Sequence, residues 1–226
     1  MANHLDLEEQ EQIDQLKHFW NTWGTLISSV LVVVFGSVAA WNGYQFWQNR
    51  QALQAAALFD AVESATQVGD QARIDQIFSD IRSKYAGTIQ ADQAGLMVAK
   101  VQIDKGDMDA ANNVLEWVVG NASDEGYRAV AHLRLASLLM EKKSYENALI
   151  HLSNKFPVAF EVIAADRKGD LLAHQGKKQE ATAEYIRAYK MLNEGAEYRR
   201  LIEVKLNALG VQPQVVIISG AVGVTK

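Results

Sequence analysis

Histidine is the first residue type to consider for metal or acid–base chemistry, because imidazole binds metal ions and titrates near neutral pH. Zinc sites on helices place two histidines within about one turn of each other. None of the five histidines has such a neighbour, and we expect His132 and His174 to be packed or surface residues. The five are His4, His18, His132, His151 and His174.

Carboxylates and glycine-rich loops give no stronger indication of a reaction centre. The acids Asp104, Asp107 and Asp109 flank a turn at Gly106, where Asp107 is placed to begin a helix rather than to hold calcium. Neither GxxxxGK[ST] nor GxGxxG occurs, and the chain has no cysteine. We therefore predict that the protein is not an enzyme and uses no metal or cofactor. A hydrolase would need a strongly coupled histidine–carboxylate pair in a pocket.

The distribution of charge argues against a nucleic-acid partner. The 226 residues carry a net charge of -5, with 27 acidic against 22 basic side chains. Five of the acids but only Lys17 lie in residues 1–19, so the rest of the chain is nearly neutral. A nearly neutral domain lacks the basic surface that nucleic acids require.

A charge-free stretch from Trp20 to Trp47 stands out among the elements. No Asp, Glu, Lys or Arg lies between Lys17 and Arg50, and a helix over this stretch is about 40 Å long. This length and composition predict a single transmembrane helix at residues 20–47 after an acidic tail at residues 1–19. Aromatic residues at both ends are typical of the two membrane interfaces: Trp20, Trp23, Trp41, Tyr44 and Trp47.

A buried core helix and a cleaved signal peptide both fit this stretch less well than a membrane anchor. A core helix is rarely free of charge over such a length, and a cleaved signal peptide has a basic start and a short apolar core. Here the start is acidic and the core is long. Orientation stays open, because one lysine precedes the stretch and one arginine follows it.

Small residues recur on one side of the predicted membrane helix. Ser29, Gly36 and Gly43 are seven positions apart, and Ala40 lies beside them. Small side chains let membrane helices approach closely, so we expect this side to contact other membrane helices.

The chain after Arg50 has the periodicity of paired helices. Apolar residues repeat every three to four positions up to Gly69, and again from Gln71 to Tyr85. A short turn joins these two predicted helices into a hairpin. A last helix is predicted over residues 195–209, ended by Gly210 and Pro213, as a cap on the helical array.

Three further hairpins share one register of small and large residues. In each, a small residue is followed twelve positions later by a second small residue and four positions later by a large one. Small residues let two helices cross closely, and the large one fills the groove beside them. The three sets are Ala99, Ala111 and Leu115; Ala136, Ala148 and Leu152; and Gly169, Ala181 and Tyr185.

This register resembles the tetratricopeptide repeat, although the expected tryptophan-like position holds Gly95, His132 and Ala165. Successive register points are 37 and 33 residues apart, which is typical of helical solenoids. We predict an all-α protein: a transmembrane helix, a right-handed tetratricopeptide-like α-solenoid at residues 48–210, and an apolar tail at 211–226. A generic antiparallel bundle is the alternative. The tail could be a strand, a docked segment or a flexible end.

In the tetratricopeptide geometry, the first helix of each hairpin faces a concave surface. A partly apolar surface of this kind suits an extended or partly unfolded polypeptide. About half of its residues are also expected to pack against neighbouring helices. The predicted concave residues are Gln93, Leu96, Lys100, Ile103, Val130, Leu133, Ser137, Met140, Ile163, Asp166 and Asp170.

One stretch adds a resemblance to a particular family. AADRKGDLL at residues 164–172, QGKKQ at 175–179 and Ala181 resemble the ADxxGDxLxxxGxxxxA stretch of YfgM-type ancillary subunits of the bacterial SecYEG translocon. The likeness extends over nearly the whole chain up to about Leu209, and the apolar C-terminus departs from the family's short ending.

The resemblance implies a single-pass protein of the bacterial inner membrane, with a cytoplasmic N-terminus and a periplasmic repeat domain. It also implies partners: the SecYEG translocon and a periplasmic chaperone of the PpiD type. We expect a non-enzymatic scaffold that holds such a chaperone or a nascent secretory polypeptide. The alternative is an adaptor in another envelope process, such as cell division or outer-membrane protein assembly.

Overall fold

The computed structural model of this chain describes residues 7–212, and the surroundings of its side chains from residue 11 onward. The described residues form nine helices and no strand, as the all-α prediction requires. The chain divides into two units, Met1–Gln51 and Ala52–Lys226. The helices are α1 (Leu7–Val68), α2 (Gln71–Lys84), α3 (Ile89–Asp104), α4 (Met108–Asn121), α5 (Glu125–Glu141), α6 (Tyr145–Leu152), α7 (Val158–His174), α8 (Lys178–Met191) and α9 (Glu197–Ala208).

The first unit contains the charge-free part of α1. Its large apolar side chains are exposed, with Val32 71% and Phe35 68% accessible. Three hydroxyl groups on this helix donate to a carbonyl of the preceding turn: Thr22, Ser29, whose Oγ lies 2.7 Å from the Thr25 carbonyl oxygen, and Ser37. Among the described helices, α1 is long and apolar enough to cross a membrane.

In the second unit, three helical hairpins follow one another: α3–α4, α5–α6 and α7–α8. Consecutive helices contact each other, and α5 also contacts both α3 and α7, so the first helices of the hairpins lie side by side. The spacing of 37 residues between the first two register points reflects α4, which has 14 residues where α6 has 8. The predicted solenoid is confirmed. The predicted last helix is found as α9.

The same turn ends the first helix of each hairpin. Gly106, Lys143 and Gly176 have φ angles of 81°, 58° and 76°, in the left-handed region. Each turn repeats two backbone hydrogen bonds, for example from Asp107 N to Gln102 O at 2.9 Å. These bonds satisfy carbonyls that the helix end leaves without a partner.

Register residues from all three hairpins lie in one continuous core. Two glycines lie at helix crossings with no room for a side chain: a Cβ added at Gly95 would lie 2.4 Å from Val118 Cγ2, and one at Gly169 would lie 2.5 Å from Tyr185 Cε1. Glycine is therefore required where these helices touch. The buried register residues are Ala99, Ala111, Leu115, Ala136, Ala148, Leu152, Gly169, Ala181 and Tyr185.

Candidate functional site

A groove of about 490 Å³ runs across the first helices of the three hairpins. Its floor is apolar, and four charged side chains and one serine lie around it. The helices α3, α5 and α7 present most of these residues, and most of the apolar ones also pack against the core, for example Leu138, which is only 3% exposed. The lining residues are Lys100, Ile103, Met108, Val130, Leu133, Arg134, Ser137, Leu138, Glu141, Phe160, Ile163 and Arg167.

Six of the predicted concave residues meet in this groove. They come from three different helices, so the fold brings together side chains that are up to 63 positions apart in sequence. The six are Lys100, Ile103, Val130, Leu133, Ser137 and Ile163.

The remaining lining residues were not predicted, although helical spacing could have found most of them. Arg134 and Leu138 continue the stripe of Val130 at four-residue steps, and Arg167 follows Ile163 by the same step. Met108 is different, because it comes from the start of a second helix, α4, which the concave-face rule does not include.

Cations outnumber anions around the groove. Lys100 is paired with Asp104 at 2.8 Å, an exposed contact of little strength. Arg134 donates from Nη1 to the Leu96 carbonyl at 2.8 Å, which holds its guanidinium against α3. With Arg167 also exposed, the edge of the groove has a positive bias.

A second cavity of about 460 Å³ adjoins the groove and shares Ser137, Glu141 and Arg167 with it. Met140, another predicted concave residue, lines this cavity together with His174. The open surface therefore continues toward the carboxyl ends of α5 and α7.

Two residues predicted to lie on the concave face contact other residues of the repeat domain instead of lining the groove. Gln93 donates from Nε2 to the Tyr127 hydroxyl at 2.7 Å. Leu96 is only 7% exposed and belongs to the core. Both residues join α3 to α5, and neither lines the groove.

The buried Asp166 and the partly buried Asp170 form a polar cluster with α9. Lys205 Nζ lies 2.6 Å from Asp166 Oδ1 and 2.7 Å from Asp170 Oδ1. The Tyr198 hydroxyl donates to Asp166 at 2.6 Å, and the Tyr185 hydroxyl donates to Asp170 at 2.7 Å. Burial, together with these carboxylate partners, raises the pKa of both tyrosines. The two carboxylates thus attach the terminal helix to α7.

Two histidines that sequence reasoning kept apart meet between α5 and α6. His132 Nδ1 lies 3.1 Å from His151 Nδ1, so one ring donates to the other. Burial and the neighbouring His151 and Arg128 lower the pKa of His132 to about 4. Glu116 Oε1 lies 3.5 Å from His151 Nε2, and the Glu116 side chain is 48% exposed, so this contact is open to solvent. Within residues 11–212, no three metal-binding side chains converge.

On the membrane helix, the small-residue side is open. Ser29, Gly36, Ala40 and Gly43 are all exposed, and a Cβ added at either glycine would meet nothing within 4 Å.

The predicted interface aromatics are also exposed on this helix. The Tyr44 ring centroid lies 6.5 Å from that of Trp41 and 6.3 Å from that of Trp47, while Trp20 and Trp23 lie near the other end.

Comparison with known proteins extends these observations. Residues 17–211 match the family model described as a tetratricopeptide repeat-like domain. A protein of Neisseria gonorrhoeae named ancillary SecYEG translocon subunit is 34% identical over 213 residues, which cover 92% of this chain and all of the relative. Proteins with the same name in Haemophilus influenzae and Escherichia coli are 27% and 24% identical, each over 90% of this chain and 98% and 97% of their own lengths. The apolar N-terminal helix, the repeat domain and these nearly full-length matches together place the chain in the family of YfgM-like ancillary SecYEG translocon subunits.

Proposed function

We propose that this protein is an accessory subunit of the SecYEG translocon and works as a membrane-tethered scaffold for other proteins. The observation that carries the proposal is the match to relatives named for that role, from end to end of the relatives and across both the membrane helix and the repeats. The chain is a single-pass protein of the inner membrane in this proposal, with residues 1–19 in the cytoplasm and the repeat domain in the periplasm.

The small-residue side of α1 is the proposed contact with translocon helices. Gly36 and Gly43 present bare backbone, which allows a neighbouring helix to pack closely where lipid offers no hydrophobic driving force. The aromatic residues at each end hold the helix at a fixed depth, so that this side stays within the bilayer.

The groove is the proposed site for a periplasmic partner, either a membrane-anchored chaperone of the PpiD type or an emerging polypeptide. Its apolar floor accepts side chains that a folded protein would bury, and its positive edge favours a segment that also carries acids. No bond-making step is assigned to the protein. Holding a partner requires only the shape and charge of this surface.

Substitution in the membrane helix tests the translocon contact. The double variant Gly36→Leu/Gly43→Leu should lose about tenfold in capture of SecYEG from mild detergent, because bulky side chains separate the helices. Val38→Leu is the matched control: it lies on the other side of the helix and is 52% exposed. Equal loss in both variants, or loss in neither, would contradict the proposed contact.

Protease treatment of sealed, inside-out inner-membrane vesicles tests the orientation. We expect the acidic tail to be removed and the repeat domain to stay intact until detergent opens the vesicles. Digestion of the repeat domain in sealed vesicles would place it on the cytoplasmic side and would exclude a role with periplasmic partners.

A further inference from the structure

We propose that residues 213–226 of this chain, the C-terminal tail, occupy the groove when no partner is bound. The tail lies outside the described residues, and it begins two positions after the end of the stretch that matches the family, residue 211. The inference rests on the proposed role of the groove as a polypeptide-binding surface.

The composition of the tail matches the groove. Its sequence, PQVVIISGAVGVTK, contains four consecutive β-branched apolar residues at Val215–Ile218 and no charge before Lys226. Such a run exposed to water promotes association with other strands and chains. The groove offers a nearby apolar surface, which includes Ile163, 37% exposed. Packing the tail against the groove would remove the apolar surfaces of both from water.

The helix α9 contacts α7, which is one of the helices that line the groove. Lys205 of α9 bonds directly to Asp166 on α7, next to Arg167 in the groove lining. Packed helices are about 8–10 Å apart, and the fourteen residues of the tail span up to about 46 Å when extended. The tail is therefore long enough to cross α7 and reach α5.

Attachment to the same chain favours this occupant over a free peptide. A short tether keeps the tail at a millimolar effective concentration. A partner must displace it, so the groove would select segments that bind better than the tail, for example segments whose acids also contact Arg134 and Arg167. Because the tail itself is almost uncharged, its own binding should respond little to salt.

Disulfide trapping in the full-length protein tests the proposal, because the natural chain has no cysteine to interfere. The test variant combines Ser137→Cys in the groove with Val216→Cys in the tail. The matched control combines Gln179→Cys with Val216→Cys; Gln179 is exposed on α8 and does not line the groove. The rate of disulfide closure under mild oxidation is followed by mass spectrometry of peptides, with mixed isotope labels to separate bonds within one chain from bonds between chains.

We expect the groove pair to close within one chain at least about fivefold faster than the control pair. Adding Ile217→Glu and Ile218→Glu should remove this advantage, and high salt should not. Equal rates for the two pairs, or bonds only between chains, would overturn the proposal. SecYEG capture by the same variants is measured separately, so failure of the tail proposal and failure of the translocon role give different results.

Discussion

Single residues decide how closely the helices of this domain can pack. Gly95 and Gly169 each lie where a second helix touches the backbone, against Val118 and Tyr185. The Tyr185 ring cannot move away easily, because it is 3% exposed and its hydroxyl is bonded to Asp170. A methyl group at Gly169 must therefore push α7 and α8 apart.

Gly169→Ala is expected to destabilise the repeat domain by about 1–2 kcal/mol, since overpacking outweighs the gain in helix propensity. Thermal unfolding of the full-length protein in detergent, followed by circular dichroism, measures this. The control Gly120→Ala has open space around the added Cβ and should be neutral or gain up to about 1 kcal/mol. An equal effect of both substitutions would show that the α7–α8 crossing is not tight.

Lys205→Met tests the polar cluster that attaches α9. The substitution leaves Asp166, 2% exposed at its side chain, without its cation, and should cost about 3 kcal/mol of stability. Lys100→Met is the matched control. Both side chains of the Lys100–Asp104 ion pair are exposed, so the pair contributes less than about 0.5 kcal/mol to stability. If the two variants unfold at the same temperature, the cluster does not hold the terminal helix.

The histidine pair predicts a dependence of stability on pH. The pKa of His132 is about 4 in the folded chain against 6.5 for the free side chain, so the unfolded chain binds a proton that the folded chain does not. The contribution of His132 to the free energy of unfolding is fully present above about pH 6.5, and it is lost as pH falls from 6.5 to about 4.

Unfolding curves of the wild type and of His132→Phe across this range isolate the effect. The loss of stability on acidification should be smaller in His132→Phe than in the wild type, and His174→Phe, at an exposed position, is the control for removal of an imidazole. Parallel curves for wild type and His132→Phe would contradict the assigned shift.

At this scale, the sequence predicted the small and large residues of the helix crossings because they repeat in register. It did not predict the His132–His151 contact or the bonds from Lys205 to Asp166 and Asp170. Those contacts join positions 19, 39 and 35 residues apart and depend on how α6 and α9 pack, which no local spacing encodes. As a result, two carboxylates that we expected on the concave face bind α9 instead.

At the scale of helices and turns, one irregularity can be tested. The left-handed position that ends the first helix of each hairpin is glycine in two cases and Lys143 in the third. A residue with a side chain loses about 1–2 kcal/mol of stability in this conformation. Replacing it with glycine restores only part of that stability, because glycine also gives the unfolded chain more conformational freedom.

We therefore expect Lys143→Gly to stabilise the domain by up to about 1 kcal/mol, and Gly176→Ala to destabilise it by about 1 kcal/mol. Unfolding temperatures of the two variants should move in opposite directions. A shift in the same direction would mean that the two turns are not equivalent.

Helix ends and helix order were predictable for this chain, whereas the full lining of the groove was not. Turn residues such as Gly106 and Gly176 mark the ends locally, and the 37- and 33-residue spacing fixes the order. The groove also includes Met108, which is the first residue of α4, the second helix of its hairpin.

At the scale of the whole molecule, a membrane helix and a helical-repeat domain are joined in one chain. The membrane helix has an open side of small residues, and the repeat domain has an apolar groove with a positive edge. We propose that each of these two surfaces contacts another protein. A membrane-embedded scaffold for export explains why both features occur in a chain whose relatives are named as translocon subunits.

The most direct test of this account is purification of the full-length chain from its native inner membrane in mild detergent, with quantitative mass spectrometry of the proteins that come with it. We predict that SecYEG subunits are enriched at least about tenfold over the Gly36→Leu/Gly43→Leu variant. Recovery of the wild-type chain without SecYEG, or equal recovery of SecYEG with both chains, would contradict the account.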